Sequence, residues 1–280
     1  MKRRFSKFLL SSSMTASMLL LASCSLLSSF GLNSLPVTDR EQISANNLAS
    51  LHDVIYSSPD SPIGYNMRGI AYARGEEYDK AIADFSQALS LDHNFFNAYA
   101  NRALIYQQIG DNKKALADYN AALRINPKYD LALIGRGNIY REMHRLDLAE
   151  QAYKAAIHNG TTDADAWYNL GLIYQLMRRY SDAIVAFGDA ISHQSRNPDY
   201  YDARGLSYLA LKDWDNGFDD FSTSLRLNPQ DASAWIGKGL VYEQRNLFAD
   251  ARDAYQQALR ANPHATAAAK GLARLAEQGR

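Results

Sequence analysis

From residue 62 onward the small and apolar positions of the chain repeat with a period of 34. The fragments GIAY, ALIY, GNIY, GLIY, GLSY and GLVY mark the period and end on Tyr72, Tyr106, Tyr140, Tyr174, Tyr208 and Tyr242. Three residues before each tyrosine stands Gly69, Ala103, Gly137, Gly171, Gly205 or Gly239, and nine residues after it Ala81, Ala115, Ala149, Ala183, Gly217 or Ala251. An aromatic ring follows four places on, as Phe85, Tyr119, Tyr153, Phe187, Phe221 or Tyr255. Three beyond the ring comes Ala88, Ala122, Ala156, Ala190, Ser224 or Ala258. The unit recurs six times without insertion or deletion. Such a pattern predicts two antiparallel helices per unit, in which small residues let the backbones approach and rings fill the space between hairpins. Pro127, Pro229 and Pro263 end the second helix in three of the units.

The flanks supply two further predicted helices. Thr38 with Glu41 forms a capping box that opens a helix of about 18 residues, with Ile43, Leu48, Leu51 and Ile55 spaced to face the first unit. Thr266 to Gln278 is an Ala-rich helix whose Leu272 and Leu275 can lie on the sixth unit while Lys270, Arg274 and Glu277 stay in water. A single unit cannot bury its own apolar face, so the six are expected to stack into one continuous core. The repeated motif resembles the tetratricopeptide repeat (TPR), with units at 62–95, 96–129, 130–163, 164–197, 198–231 and 232–265. That resemblance implies an all-α, right-handed α-solenoid of six TPR helical hairpins. An N-terminal helix within 38–61 would precede them, and a capping helix at 266–280 would follow.

The N-terminus follows a different pattern. Lys2, Arg3, Arg4 and Lys7 precede a mostly apolar segment, Phe8 to Leu21, that is interrupted by serines and is too short for a comfortable membrane span. The only cysteine, Cys24, ends this segment, so neither an intrachain disulfide nor a shared metal site explains it. Leu21-Ala22-Ser23-Cys24 resembles the lipobox of bacterial lipoproteins. The resemblance implies a signal peptide at 1–23, cleavage before Cys24, acyl chains on Cys24 that anchor the chain to a membrane, and a tether at 24–37. Ser25, rather than Asp, implies sorting to the periplasmic face of the outer membrane. Without residues 1–23 the chain would carry 26 basic against 30 acidic residues, and no basic surplus points to nucleic acid.

No catalytic constellation stands out, and neither an enzyme, a cofactor nor a metal is expected. The six histidines are scattered without ligand spacing, and neither a phosphate loop nor a nucleophile elbow is present. A basic ladder runs through Arg68, Arg102, Arg136, Arg204 and Lys238, broken by Leu170. Asp84, Asp118 and Asp220 stand 16 residues after three of these arginines, which points to pairing inside the stack rather than to a ligand stripe. In the TPR family the first helices line a concave groove that binds segments of partner proteins. By repeat position, that groove would carry Asn66, Arg74, Asn97, Asn101, Gln108, Asn138 and Arg141 from the first three units. Asp165, Tyr168, Asn169, Gln175, Asp199, Asp202 and Glu243 would follow. The groove changes sign from Arg74 and Arg141 toward Asp199, Asp202 and Glu243, which would orient a bound segment by charge. The organisation, lipobox followed by repeats, is similar to that of the NlpI-type envelope lipoproteins, which implies an adaptor for peptidoglycan hydrolases or a processing protease. Pilotins and outer-membrane assembly factors are the alternative, and self-association stays open.

Overall fold

The computed structural model describes residues 48–277 and 279, all helical apart from turns and short connections. The expected capping box and the start of its helix, the lipobox, Cys24 and the tether lie outside these residues. The chain divides into two compact units, one up to Asp84 and one from Phe85 on.

The first unit holds a helix at 48–57, which we call α1, then α2 (Pro62–Arg74) and the start of α3 (Tyr78–Leu91). Pro62 occupies the first turn of α2, where its missing N–H costs no hydrogen bond. Ile55 of α1 is buried, and a methyl group added at Gly64 of α2 would stand 3.2 Å from its Cγ1. Arg68 grips both carboxylate oxygens of Asp84 at 2.7 and 2.8 Å.

In the second unit the pairs α4 (Phe96–Gln108) and α5 (Asn112–Ile125), α6 (Asp130–Glu142) and α7 (Leu146–His158), and α8 (Ala164–Leu176) and α9 (Tyr180–His193) follow one another. Next come α10 (Pro198–Ala210) and α11 (Trp214–Leu227), α12 (Ala232–Gln244) and α13 (Phe248–Ala261), and a closing α14 (Thr266–Glu277). First helices pack on the first helix of the next pair, α4 on α6, α6 on α8, α8 on α10, α10 on α12 and α12 on α14. Among the described residues from Phe96 on, no second helix packs on another second helix. The second helices are therefore splayed, and the first helices form the inner face of this unit.

Rings and glycines lock the stack. Tyr119, Tyr153, Phe187, Phe221 and Tyr255 are fully buried. A Cβ on Gly137, Gly171 or Gly205 would stand 2.7, 2.5 or 2.8 Å from the ring of Tyr153, Phe187 or Phe221, closer than carbon atoms approach. The opposite faces of Tyr119, Phe221 and Tyr255 rest on Gly135, Gly237 and Gly271 of the following first helices. Tyr119 and Phe221 are thus clasped between two hairpins, and Tyr255 between the last hairpin and the closing helix.

The turn between the helices of a pair is the same in all six repeats. Glu76, Gly110, His144, Arg178, Lys212 and Asn246 take positive φ, between 55° and 81°. The next residue's N–H then reaches back to the carbonyl of the repeat tyrosine, as in Arg145 to Tyr140 at 2.8 Å and Arg179 to Tyr174 at 2.7 Å. The repeat tyrosine therefore has a backbone task as well as a packing one. The third repeat also ends its second helix in this way, with Gly160 at φ 82° and Thr161 N–H bonded to the carbonyl of Ala156.

Candidate functional site

The inner face of α6, α8 and α10 carries a cluster built on Tyr168. Its ring lies 4.9 Å from that of Tyr200 and 5.7 Å from that of Phe187, which hold it against the stack. The Tyr200 hydroxyl donates to Asp165 at 2.8 Å, tying α10 to α8. Burial raises the pKa of the Tyr168 hydroxyl, the acidic groups of Asp199 and Asp202 raise it further, and Arg141 opposes them. Tyr168 is accordingly a neutral phenol, with Arg141 from α6 and Asp202 from α10 both close enough to act on it.

Two buried polar atoms in this cluster have no partner, Arg141 Nε and Asp202 Oδ1. The Asp202 carboxyl is pushed up to about 8, first by burial and then by Asp231 and Asp199, against a hydrogen bond from Ser233. Asp199 lies further out, and its carboxyl is raised by partial burial, then by Asp231 and Asp165. Asp231 is held in place by its own work, since it caps α12 by accepting from the N–H groups of Ser233 and Ala234. A guanidinium donor, a phenol and a carboxyl that stays partly protonated near neutral pH together suit a ligand with donors and acceptors in alternation. A peptide main chain is such a ligand.

Other groove residues are engaged in contacts within their own repeat, as Asn97 and Asn138 are, or between neighbours, as Gln175 and Glu243 are. Asn97 donates to the Tyr129 hydroxyl at 3.3 Å, and Asn138 accepts from the Tyr153 hydroxyl at 2.7 Å. Gln175 donates to the Ala203 carbonyl and to Ser207 Oγ, both at 2.8 Å. Glu243 accepts from Arg274 of the closing helix at 2.7 Å, so it is not free to mark an acidic end of the face. Asn101 and Asn169 are half-buried on α4 and α8, and Gln108 is exposed at the end of α4. In the first unit Asn66 is buried and Arg74 exposed. Asp231 and Ser233 were missed by position, and the signal for both was the Asp-x-Ser capping sequence ahead of α12.

The basic ladder is paired internally. Arg102 holds Asp118 and Arg204 holds Asp220, each through two N–H groups at 2.7–3.0 Å. Arg102 also reaches Ser86, and Arg136 reaches Asn120 of the repeat before. Lys238 instead sits among the rings of Phe218, Trp235 and Tyr242, 4.6–5.8 Å from their centroids, where burial lowers its pKa. Among the described residues no group of carboxylate, imidazole or thiol side chains could hold a metal ion, and no helix is long and apolar enough to cross a membrane.

Comparison with known proteins bears on the fold. Models described as tetratricopeptide repeat match residues 203–265 and 242–280, and 96–129 and 164–197, and one described as TPR repeat matches 69–110. No curated protein matches the sequence. Among solved structures, PilF of Pseudomonas aeruginosa is 18% identical with a TM-score of 0.69, covering 76% of this chain and 97% of its own. YrrB, reported as a TPR protein with an unusual peptide-binding site, is 20% identical with a TM-score of 0.59, covering 66% of this chain and 96% of its own. The Cut9–Hcn1 assembly of the APC/C matches with a TM-score of 0.68 at 20% identity, over 83% of this chain but only 46% of the matched one. At these identities the likeness speaks for the fold alone. Family models and solved structures agree on the hairpins described above, and the chain is a tetratricopeptide-repeat protein.

Proposed function

We propose that the chain is a non-catalytic scaffold, lipid-anchored through Cys24 at the periplasmic face of the outer membrane, whose first helices bind a segment of a partner protein. The partner class would be a cell-wall hydrolase or a processing protease. The observation that carries the binding part is the pair of buried, unpartnered atoms on either side of Tyr168, Arg141 Nε and Asp202 Oδ1. Leaving such atoms unsatisfied costs about 1–3 kcal/mol each, and a peptide main chain laid over Tyr168 would supply both partners. YrrB shares the fold and has a peptide-binding site of its own. The anchoring part rests on the lipobox-like sequence. An anchor raises the effective concentration of partners at the membrane without any new contact.

The test places a photo-crosslinking residue at Asn169 on the inner face or at Gln151 on the exposed face of α7, in cells. A protein captured from position 169, not from 151, and lost when Asp202→Arg is added, is the expected outcome. Equal capture from both positions, or capture indifferent to Asp202→Arg, would show that the inner face is not the binding face. Cys24→Ser should release the chain from the membrane fraction, and its retention there would refute the anchor.

A further inference from the structure

Three first helices bring carboxylates together beside Tyr168: Asp165 comes from α8, Asp199 and Asp202 from α10, and Asp231 from the start of α12. They are close enough to act on one another. Burial raises the pKa of both Asp199 and Asp202, Asp231 and Asp165 raise the first further, and Asp231 and Asp199 the second. No cation opposes them, and among the described residues neither Asp199 nor Asp202 pairs with a Lys, Arg or His. Asp118 and Asp220, buried on second helices, are by contrast held by Arg102 and Arg204 at 2.7 and 2.8 Å.

Asp231 has both oxygens committed inside the fold. Its Oδ1 accepts from the N–H groups of Ser233 and Ala234, and its Oδ2 from Ser224 Oγ. It therefore contributes charge, and the open acceptor is Asp202 Oδ1, which is shielded from water and has no partner. Arg141 Nε, on the other side of Tyr168, is shielded and unpartnered as well. Buried polar atoms without partners mark a place that a ligand completes. The charges decide what meets Asp202. A main-chain N–H would give Oδ1 a hydrogen bond but leave Asp165, Asp199 and Asp231 unopposed. A metal ion needs carboxylates that converge, and among the described residues no such group could hold one. An ammonium or guanidinium on a flexible stem brings a full charge to the carboxylates and donates to Oδ1 at the same time. Its arrival favours the ionised carboxylate, so the proton that Asp202 keeps near neutral pH leaves on binding.

We propose that the segment bound on the inner face carries a Lys or Arg side chain whose cation seats on Asp202 Oδ1 beside Asp199 and Asp231, while a main-chain carbonyl of the same segment meets Arg141 Nε. The assignment rests on the segment-binding role of the inner face and adds the side chain that selects the partner. The test selects phage-displayed random peptides on the purified full-length chain with a photo-crosslinking residue at Asn169, so that peptides on the inner face are identified by their crosslink. Those peptides should share a Lys or Arg at one fixed place. Replacing that residue by norleucine in the synthetic peptide should weaken binding about tenfold, and Asp202→Asn should weaken the unaltered peptide by as much. Asn keeps an oxygen that accepts from a main-chain N–H, so the loss with Asp202→Asn reads the charge, and the norleucine peptide should bind both chains alike. Inner-face peptides that share no basic residue would overturn the proposal, as would a Lys or Arg peptide that binds Asp202→Asn as tightly as wild type; in both cases the inner face stays a binding face. Selected peptides that never crosslink from position 169 would overturn the role of that face together with the proposal.

Discussion

Gly137 and Gly188 show what a single methyl group is worth at two places in the same stack. A Cβ at Gly137 would stand 2.7 Å from Cε1 of the fully buried Tyr153, whereas at Gly188 the nearest atom is Arg204 Nη1 at 3.7 Å. Gly137→Ala is therefore expected to lose about 1–3 kcal/mol through overpacking. Gly188→Ala should gain up to about 1 kcal/mol, since Ala is the better helix former and its methyl meets only an ordinary contact with Arg204. Urea denaturation of the two variants checks both signs at once. Asp202 supplies a second residue-scale expectation. Its folded pKa is about 8, against an unfolded value near ~3.9. Between these values the folded chain keeps a proton that the unfolded chain has released, so stability falls as pH rises through the window. Asp202→Asn cannot ionise and lacks this slope. It should gain on wild type by about 2 kcal/mol between about pH 5 and pH 8, less than the full shift because the residue is only half-buried. Identical slopes would show that Asp202 is ionised in the folded protein. The ring slots and the glycines facing them from the same repeat were legible because they recur every 34 residues. Gly135, Gly237 and Gly271, which take the other face of the ring, were not, since Met67, Asn101, Asn169 and Ala203 fill that place elsewhere.

At the scale of the element, the six left-handed turns explain how one hairpin geometry is kept by six different residues. The bond from the next N–H to the repeat tyrosine's carbonyl closes the first helix, and it requires positive φ one place earlier. Only Gly110 meets that need without cost; Glu76, His144, Arg178, Lys212 and Asn246 do not. His144→Gly and Arg178→Gly, both at exposed positions, should each raise stability by about 0.5–1 kcal/mol, and Gly110→Ala should lower it by about 1 kcal/mol. Thermal melts of the three variants test the assignment, which fails if the glycine variants are destabilised. The turn could not be read from glycine placement. Gly75 looks like the stop signal of α2, yet it has φ −85°, and the left-handed residue is Glu76 after it. Helices and their pairing were readable from periodicity. The partners of Asn138, Asp165, Gln175 and Glu243 were not, because they lie 15 to 35 residues away and depend on how first and second helices register in space.

For the array of hairpins in the second unit, the ladder separates what stacking needs from what a surface can spare. Arg204 and Asp220 are joined by two short hydrogen bonds, and both are largely shielded from water. Removing one member leaves the other charge stranded, whereas replacing both with apolar groups can be nearly neutral. Repeat four carries that double replacement as Leu170 and Ala186, with Leu170 6% and Ala186 4% exposed, and its helices α8 and α9 still pack as a pair. Asp220 without its arginine should thus be costly and the swapped pair cheap. Arg204→Leu alone is expected to lose about 2–4 kcal/mol, discounted from a fully buried pair because the guanidinium edge meets solvent. Adding Asp220→Ala should return most of that loss. Urea midpoints of the two single variants and the double variant decide it: recovery in the double variant means that the ladder is a set of local pairs, each replaceable in its own repeat. A double variant as unstable as the sum of the singles would mean instead that the cations are coupled from repeat to repeat, through contacts such as Arg102 to Ser86 and Arg136 to Asn120. In the first case repeat four lost its pair at little cost to the array, because Leu170 and Ala186 bury an apolar contact where the other repeats bury an ion pair.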